Sequence, residues 1–364
     1  MDICGLIIEV VVTALSVATT GTLVTSSTNF PKSQRSMKMS DIADKWAQIG
    51  NDINGGASTS GRNILRPTKF DDILGQSSVL DALRISVDSA KTRNTCLGHM
   101  LFYGSAGTGK TTLANAISNE MGCSLQIANG ANLRNVKSIV AYLMKIEENS
   151  VLFIDEIHRM TPIVEEFLYP VMEDFQLDVV VNEEKTISMP IPNFTLVGAT
   201  TEIGLLAKPL IDRFKNKHTL KLYSVEDLRT IAESNMVKLE IDLSGDALDF
   251  VAKLSKGTPR ILNSTLEWLR DYKIAKSLGQ LSVEDAEAAM KIIGVNANGL
   301  TEVDRQYLRA LSNSDVPLGI ETISATTGID RATIEDVIEP YLLQNNIVMK
   351  TPRGRTLNRD KIRS

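Results

Sequence analysis

The sequence has few of the residues on which several classes of protein depend. It contains only three cysteines and three histidines, all widely spaced. This scarcity excludes a disulfide framework and a four-ligand zinc site, and it favours a reducing, cytoplasmic location. Aromatic residues make up only 5% of the chain, so a surface that binds single strands mainly by stacking bases is not expected.

The chain also lacks a strong net charge. Its 39 basic and 44 acidic residues give a formal charge of −5, so any contact with nucleic acid must come from a local basic patch. Hydrophobic residues make up 43% and charged residues 23%, which is typical of a globular protein. At about 100–200 residues a domain, the length predicts two or three domains.

The first sixty residues differ from the rest of the chain. Residues 3–25 are mostly apolar and carry one charge, Glu9, and their length approaches the roughly 20 residues of a membrane span. They contain several threonines and lack the basic segment that opens a signal peptide. We therefore expect residues 1–60 to be a dispensable extension, which a start codon placed too far upstream would explain. A membrane anchor is the alternative.

A phosphate-binding loop opens the body of the protein. The apolar run Met100–Tyr103 predicts a buried strand, and an amphipathic helix is predicted after the loop. Between them, Gly104–Thr111 matches the pattern G-x-x-x-x-G-K-[ST]. The glycines let backbone N–H groups curl around phosphates, and the helix N-terminus adds positive potential. Lys110 places a charge at the β- and γ-phosphate oxygens, and the Thr111 hydroxyl is placed to ligate Mg²⁺. The predicted ATP contacts here are Gly104, Gly107, Thr108, Gly109, Lys110, Thr111 and Thr112.

Two adjacent carboxylates follow the apolar run Val151–Ile154, which predicts a second buried strand. Ligands bind at the carboxyl ends of strands in such sheets. Asp155 would hold the water shell of Mg²⁺, and Glu156 would orient or deprotonate the attacking water. His158 has no second histidine nearby, so it is interpreted as a packing or coupling residue.

A third strand, Phe194–Ala199, is predicted to end at the same edge of the sheet. Thr200 and Thr201 follow it, and a hydroxyl there can bond the γ-phosphate or the attacking water. From residue type alone, Arg213 and Arg260 are ordinary surface cations.

These motifs, in this order, resemble those of the RuvB family of AAA+ ATPases. The resemblance runs from about Leu65 to Arg355, and the segments DEIHR, YPVMEDFQLD and TPRGR together make it specific. It implies an α/β fold, with an AAA+ P-loop parallel sheet core, a helical lid and a C-terminal winged-helix domain. It also implies an ATP hydrolase that drives Holliday-junction branch migration in recombination and repair, as a ring, expected to be a hexamer, that translocates duplex DNA.

The resemblance assigns roles that residue type alone leaves open. Thr201 falls at sensor 1, Arg213 at the arginine finger that reaches a neighbouring subunit's γ-phosphate, and Arg260 at sensor 2, which acts on its own subunit's nucleotide. Positive charge there would stabilise the transition state of phosphoryl transfer. A finger supplied in trans makes hydrolysis conditional on assembly, which is why a ring is implied. The positions at which the family holds adenine are Leu65, Arg66, Ile73 and Leu74.

The sequence departs from the family in four places. Its loop reads GSAGTGK without the usual proline and leucine, and Glu202 and Ile211 stand where the family usually has arginine. The stretch Asn182–Pro192 is shorter and lacks a glycine-rich tip. It predicts a hairpin of Val179–Val181 and Thr186–Met189, which in the family docks on RuvA. A RuvA-like junction-binding partner is therefore left open, and a divergent member, for example one carried by a phage, would fit.

Repeated helical spacing predicts a helical lid over residues 223–296, after a large ATPase domain over residues 61–222. Ser224 and Ser282 stand where helix N-caps are expected. A hinge near Leu222 would turn the nucleotide state into rotation of one domain against another.

Residues 297–364 predict a winged-helix DNA-binding domain. The pattern contains helices over 302–312, 319–327 and 331–345, then a strand pair around Pro352–Gly354. Such domains commonly read DNA through the third helix, but its carboxylates would repel phosphates here: Glu335, Asp336 and Glu339.

From Lys350 to Ser364 the chain has six cations and one acid, a net charge of +5. We therefore expect Arg353 and Arg355, in the wing, to contact the DNA backbone without base readout.

Two other functions remain as alternatives. A clamp-loader-type AAA+ subunit shares the ATPase core but usually adds a helical collar, and bacterial motor subunits often add a four-cysteine zinc module that three cysteines cannot supply. A non-catalytic DNA-binding scaffold would need a broken ATPase site. The expected catalytic residues are all present: Lys110, Asp155, Glu156, Thr201, Arg213 and Arg260.

Overall fold

The computed structural model describes residues 64–182 and 185–358. The predicted N-terminal extension and the basic residues after Asn358 lie outside the described residues. Within that part of the chain, no helix combines the length and apolar character that crossing a membrane requires.

A parallel sheet of five strands forms the centre of the ATPase core. Its strand order is β2-β3-β6-β1-β7, with β1 Met100–Tyr103, β2 Leu125–Asn129, β3 Val151–Asp155, β6 Thr195–Thr200 and β7 Asn216–Thr219. In register, Tyr103 lies opposite Thr200, and Asn129 lies opposite Asp155. The carboxyl ends of the central strands therefore meet at one edge, as the sequence predicted.

Strands β3 and β6, which end at Asp155 and Thr200, are apolar because both faces of the sheet are covered. β6 is buried throughout, and the four residues before Asp155 in β3 are also buried, which is typical of parallel strands between helical layers. The helices of this core are α1 Ser77–Arg93, α2 Lys110–Met121, α3 Val136–Leu143, α4 Pro162–Glu173 and α5 Lys208–Arg213. Leu83, Ile117 and Phe102 lie at the centre of its hydrophobic cluster.

The predicted hairpin forms a separate two-stranded sheet. Its strands are β4 Gln176–Asn182 and β5 Lys185–Pro190. Both are longer than the sequence predicted, and the residues between them lie outside the described residues.

Four helices form the lid: α6 Val225–Leu239, α7 Gly245–Leu254, α8 Pro259–Lys276 and α9 Val283–Ile292. The predicted caps are confirmed, since Ser224 Oγ accepts from Asp227 N–H at 3.0 Å and Ser282 Oγ from Asp285 N–H at 3.3 Å. Such caps satisfy N–H groups that have no partner within the helix.

The C-terminal module has the predicted winged-helix order. Its elements are α10 Glu302–Ser312, α11 Ile320–Thr327, α12 Arg331–Thr333, a π turn over Ile334–Ile338, α13 Glu339–Gln344, and the antiparallel pair β8 Val348–Thr351 and β9 Gly354–Leu357. The sequence predicted one regular third helix where the structure has a π turn. Pro340 explains the difference, because it cannot donate to the carbonyl of Asp336 and its ring would clash there.

Candidate nucleotide site

The phosphate-binding loop joins β1 to α2 and depends on its glycines. Gly104 has a φ of +147° and Gly109 a φ of +101°, values that other residues rarely adopt. A Cβ on Gly104 would also lie 2.2 Å from the backbone oxygen of Leu220. Gly109 caps α2, so the unpaired N–H groups of its first turn are available to an anion at the loop.

Lys110 lies at the centre of this loop. Its Nζ donates to the carbonyl oxygens of Gly104 at 2.7 Å and Ser105 at 3.0 Å, and the residue is only 7% exposed. Burial lowers the pKa of Lys110, while the Glu156 and Asp155 carboxylates act in the opposite direction. The structure thus brings the loop amine and the acid pair close together.

The acid pair stands at the end of β3 in an unusual backbone conformation. Glu156 has a φ of +48°, where residues other than glycine are uncommon. Its N–H donates to Asp155 Oδ1 at 3.1 Å. Thr201 Oγ1 donates to Glu156 Oε2 at 3.4 Å. The structure therefore brings together two carboxylates and a hydroxyl that are 45 positions apart in the chain.

Gly130 is a residue of this site that the sequence analysis missed. A Cβ there would lie 2.2 Å from the backbone oxygen of Glu156. Gly130 directly follows β2, whose last residue pairs with Asp155. The absence of a side chain at Gly130 thus makes room for the strained turn. The only signal in the sequence was a glycine directly after a strand.

The lid lies against the loop through the turn before α8. A Cβ on Gly107 would lie 3.2 Å from Arg260 Cβ and 3.4 Å from Thr258 Cβ. After burial, the Arg260 charge is a further cause of the lowered pKa of Lys110. Arg260, 150 positions after Lys110 in the chain, is thus placed at the same loop.

Tyr223 is a second residue that the sequence analysis missed. Its N–H donates to Gly257 O at 2.8 Å, and its hydroxyl donates to Thr108 O at 3.5 Å. A Cβ on Gly75 would lie 2.7 Å from its ring. Burial raises the pKa of Tyr223 to about 12, so the phenol stays a neutral donor between loop and lid. Nothing in the local sequence indicated this role.

Among the described residues, the partners of Arg213, at the end of α5, lie on α4 and α5. Its guanidinium lies over the ring of Tyr169, 4.2 Å from the centroid. It donates to Pro209 O at 2.8 Å and to Glu173 Oε2 at 3.3 Å. The structure does not bring Arg213 to the loop of its own chain, whereas it does bring Arg260 there.

The residues expected around adenine fall in two different places. Leu65 is 1% exposed and belongs to the hydrophobic cluster of the lid, whereas Ile73 belongs to that of the ATPase core. Leu74 is half-buried and Arg66 is exposed. The segment thus runs from the lid cluster to the core cluster.

The donor set at the loop fits Mg²⁺. Thr111 offers a hydroxyl in the first turn of α2, and Asp155 offers a carboxylate at the strand end. Mg²⁺ prefers oxygen ligands, and in nucleotide sites it combines one or two carboxylates with waters and phosphate oxygens. A dedicated cage of several acidic or histidine ligands is therefore not needed here.

The two arginines of the wing that were expected to contact DNA lie in different environments. Arg353 is exposed in the turn between β8 and β9. Arg355 is 7% exposed, and its Nε donates to Glu339 Oε1 at 2.7 Å. Tyr307 Oη donates to the same oxygen at 3.0 Å. A buried, paired Arg355 is at odds with the expected phosphate contact, because its Nε and Nη2 groups already donate to Glu339 and Glu335 inside the domain.

The same network changes the expectation for the third helix. Glu339 is 2% exposed and paired with Arg355. Glu335 pairs with Arg331 at 3.0 Å and with Arg355 at 3.2 Å, and its pKa is lowered mainly by the hydrogen bond from Arg331. Two of the three carboxylates are therefore neutralised by internal partners, so they repel phosphates less than the sequence suggested.

Comparison with known proteins gives one family for all three parts. A model of the Holliday junction DNA helicase RuvB P-loop domain matches residues 65–220, one of the RuvB AAA lid domain matches residues 223–296, and one of the RuvB C-terminal winged helix domain matches residues 297–362. The chain belongs to the RuvB family.

Solved structures of Thermotoga maritima RuvB are similar to this chain. The one described as the RuvB Holliday junction branch migration motor is 34% identical, covers 83% of this chain and 98% of its own, and gives a TM-score of 0.75. Two single-residue variants of that protein have the same identity and coverage, with TM-scores of 0.77 and 0.76. The family resemblance and the predicted fold class are therefore confirmed.

Glu202, one of the positions at which the sequence was expected to depart from the family, lies beside the acid pair. Its Oε1 is 3.4 Å from Nε2 of His158. The other nitrogen of that imidazole, Nδ1, is 3.3 Å from Glu156 Oε2. The sequence pattern singled out His158 and Glu202 separately and did not predict that they are in contact.

Proposed function

We propose that this chain is an ATP-driven DNA motor that moves Holliday junctions in recombination and repair. The observation that carries the proposal is the convergence of Lys110, the Asp155–Glu156 pair and Arg260 on one phosphate loop. Family membership supports the choice of DNA junctions as substrate, since a similar protein is described as a Holliday junction branch migration motor.

In this proposal the loop and Lys110 bind the phosphates of ATP. Thr111 and Asp155 would hold Mg²⁺, which would supply positive charge near the phosphate oxygens. Glu156 orients the attacking water and accepts its proton. Thr201 bonds Glu156 and is placed to help orient that water. Arg260 contributes positive charge from the lid of the same subunit.

Leu65, Arg66, Ile73 and Leu74 are proposed to hold adenine. Leu65 lies in the lid cluster and Ile73 in the core cluster. Adenine bound between them would contact both parts of the ATPase, so its release would free the lid to move. This is the coupling of nucleotide state to lid rotation that the hinge near Leu222 predicts.

Arg213 is proposed to act on the neighbouring subunit's nucleotide. Its partners Tyr169, Glu173 and Pro209 are all within its own α4 and α5. A guanidinium held there, and not at its own loop, is available to complete a site across an interface. The proposed assembly is a ring, expected to be a hexamer, in which each ATP site is built by two subunits.

Duplex DNA is proposed to bind through its backbone, with Arg353, which is exposed in the wing, as a proposed phosphate contact. A phosphate contact carries no sequence information, which suits a motor that must move along any sequence. Arg355 is assigned to the support of the wing, since it is buried against Glu339. A RuvA-like partner and the cytoplasm remain the proposed partner and location.

A synthetic four-way junction with one labelled arm tests the proposed function. With ATP and Mg²⁺, the full chain should convert it to two duplexes, and a RuvA-like protein added in a parallel reaction should increase the rate. Lys110→Ala protein is the matched control and should leave the junction intact. If the purified chain hydrolyses ATP but leaves junctions unmoved with and without the partner, the motor proposal is wrong.

A further inference from the structure

His158 lies between two carboxylates in the ATPase core. Its side chain is 7% exposed. Nδ1 is 3.3 Å from Glu156 Oε2, and Nε2 is 3.4 Å from Glu202 Oε1. One imidazole thus spans the distance from the proposed general base to a half-exposed surface acid.

Thr200 holds this arrangement from the sheet side. Its Oγ1 lies 2.8 Å from His158 Nδ1 and accepts from the N–H of Glu202 at 2.9 Å. Thr200 is fully buried at the end of β6, so its hydroxyl is a fixed point. The imidazole is therefore located on one side by a rigid strand and on the other by Glu202.

The Glu156 carboxylate depends on neighbouring side chains for its orientation, because its own backbone does not fix that orientation. The residue sits in the left-handed region, and its carboxylate is reached by Thr201 at 3.4 Å and by His158 at 3.3 Å. A base that must hold one water in line with a phosphate loses rate steeply when it is misplaced. The side chains that touch Glu156 therefore decide how well it is aimed.

The side chain at position 202 sets the charge that faces Nε2. An arginine at this position would place a cation against Nε2, whereas Glu202 places a carboxylate there. The contact between Nε2 and the Glu202 carboxylate fixes the orientation of the ring at that end. The side chain at 202 thus determines how Nδ1 is presented to Glu156.

We propose that His158 is a positioning residue for Glu156 and that Glu202 acts through it by holding the imidazole. The proposal rests on the proposed function, because it takes Glu156 as the base of ATP hydrolysis. It assigns the effect of Glu202 on hydrolysis to its contact with His158, and not to any contact of its own with nucleotide.

A double-mutant cycle on the full chain tests this assignment. The variants are His158→Phe, Glu202→Ala and the combination, with ATPase kcat and KM measured beside ATP-analogue affinity and the thermal midpoint. Each single change should lower kcat about tenfold with KM and affinity unchanged. In the His158→Phe background, Glu202→Ala should have no further effect, because its route to Glu156 is already lost.

Two conservative variants separate positioning from general disruption. Glu202→Gln keeps an acceptor for Nε2 and should hold kcat within about twofold of the parent, whereas Glu202→Arg should behave like Glu202→Ala. His158→Asn places a polar amide near the position of Nδ1 and should restore part of the kcat lost in His158→Phe. Glu202 is 46% exposed, so its variants are expected to fold even if His158→Phe does not.

Unchanged kcat in Glu202→Ala and Glu202→Arg would overturn the proposal. Additive effects in the cycle, or parallel losses of kcat and ATP affinity, would do the same. Glu156→Gln is run beside these variants. If it hydrolyses ATP normally, the assigned role of Glu156 fails first. If it is inactive while the His158 and Glu202 variants are fully active, only the positioning proposal fails.

Discussion

Lys256 in the lid and Asp304 in the winged helix form a buried ion pair, with Nζ 2.5 Å from Oδ2. Their side chains are 13% and 4% exposed. Lys256 stands in the turn that leads to Arg260, and Asp304 also accepts from the N–H of Thr301 at 2.7 Å and thereby helps to begin α10. The turn at the phosphate loop is thus joined to the first helix of the C-terminal module.

Lys256→Ala is expected to lower the free energy of unfolding of the C-terminal module by about 3 kcal/mol, because it leaves Asp304 buried and unpaired. Urea unfolding followed by hydrogen exchange of α10 measures this. Arg309→Ala is the matched control, since Arg309 pairs with Glu302 on the surface, and it should cause no measurable loss. Equal stability of the two variants would contradict the importance of the buried pair.

Glu156→Gln should bind ATP as the parent does and lose about 10²–10⁴-fold in hydrolysis. The amide keeps the shape of the carboxylate and can still accept from Thr201, but it cannot take up the proton of water. Fluorescent ATP-analogue titration and phosphate release measure the two properties. Normal phosphate release would reject the role assigned to Glu156.

Arg213→Ala should reduce hydrolysis by about 10³–10⁵-fold, the range typical of an arginine finger. Mixing it with Lys110→Ala protein should restore part of the activity, because an interface can then combine an intact loop with an intact finger. Arg229→Ala, which removes an exposed arginine of the lid, is the control and should keep full activity. Absence of rescue in mixed assemblies would argue that Arg213 acts within its own chain.

Arg353→Ala and Arg355→Ala should have different effects although they lie two residues apart. Arg353→Ala should weaken binding to all duplex sequences alike and reduce the salt slope by about 1, with the thermal midpoint unchanged. Arg355→Ala should destabilise the winged helix by about 3–5 kcal/mol, because it leaves Glu339 buried without its partner. DNA titrations at several salt concentrations, beside thermal unfolding, distinguish the two. A stable Arg355→Ala protein with weak DNA binding would restore Arg355 as a DNA contact.

Stability should fall as the pH drops below about 6.5, the ordinary pKa of histidine. His99 is buried, and burial lowers its pKa. Its Nε2 lies 2.9 Å from Met172 O, and its Nδ1 accepts from Leu196 N–H at 2.9 Å, so the neutral ring uses both nitrogens. The unfolded chain takes up a proton that the folded one resists, at up to about 1.4 kcal/mol per pH unit.

Unfolding midpoints between pH 7.5 and 5.5 test this sign. The parent should lose stability toward acid, and His99→Gln should lose less of it over the same range. A smaller residual slope is expected from His218, whose pKa burial also lowers. A parent whose midpoint rises toward pH 5.5 would contradict the assignment.

Local signals predicted the elements that hold the nucleotide. Gly104–Thr111 and the acid pair at 155–156 could be predicted because a strand, a turn and a helix start each depend on neighbouring residues. The caps at Ser224 and Ser282 followed for the same reason. The expected domain boundaries and residue roles, whether drawn from motifs and helical spacing or implied by the family resemblance, remain predictions.

The sequence by itself determined the loop, the acid pair and the caps, since each is encoded within a few adjacent residues. It also determined the order of the three parts, since each part has its own motif or helical spacing. Only the tertiary structure decided that Arg355 is buried against Glu339, that His158 faces Glu202, and that Tyr223 lies against the loop. Those partners are 16, 44 and 115 positions apart. Which side chains meet at such separations depends on how helices and strands pack, and no local pattern records that.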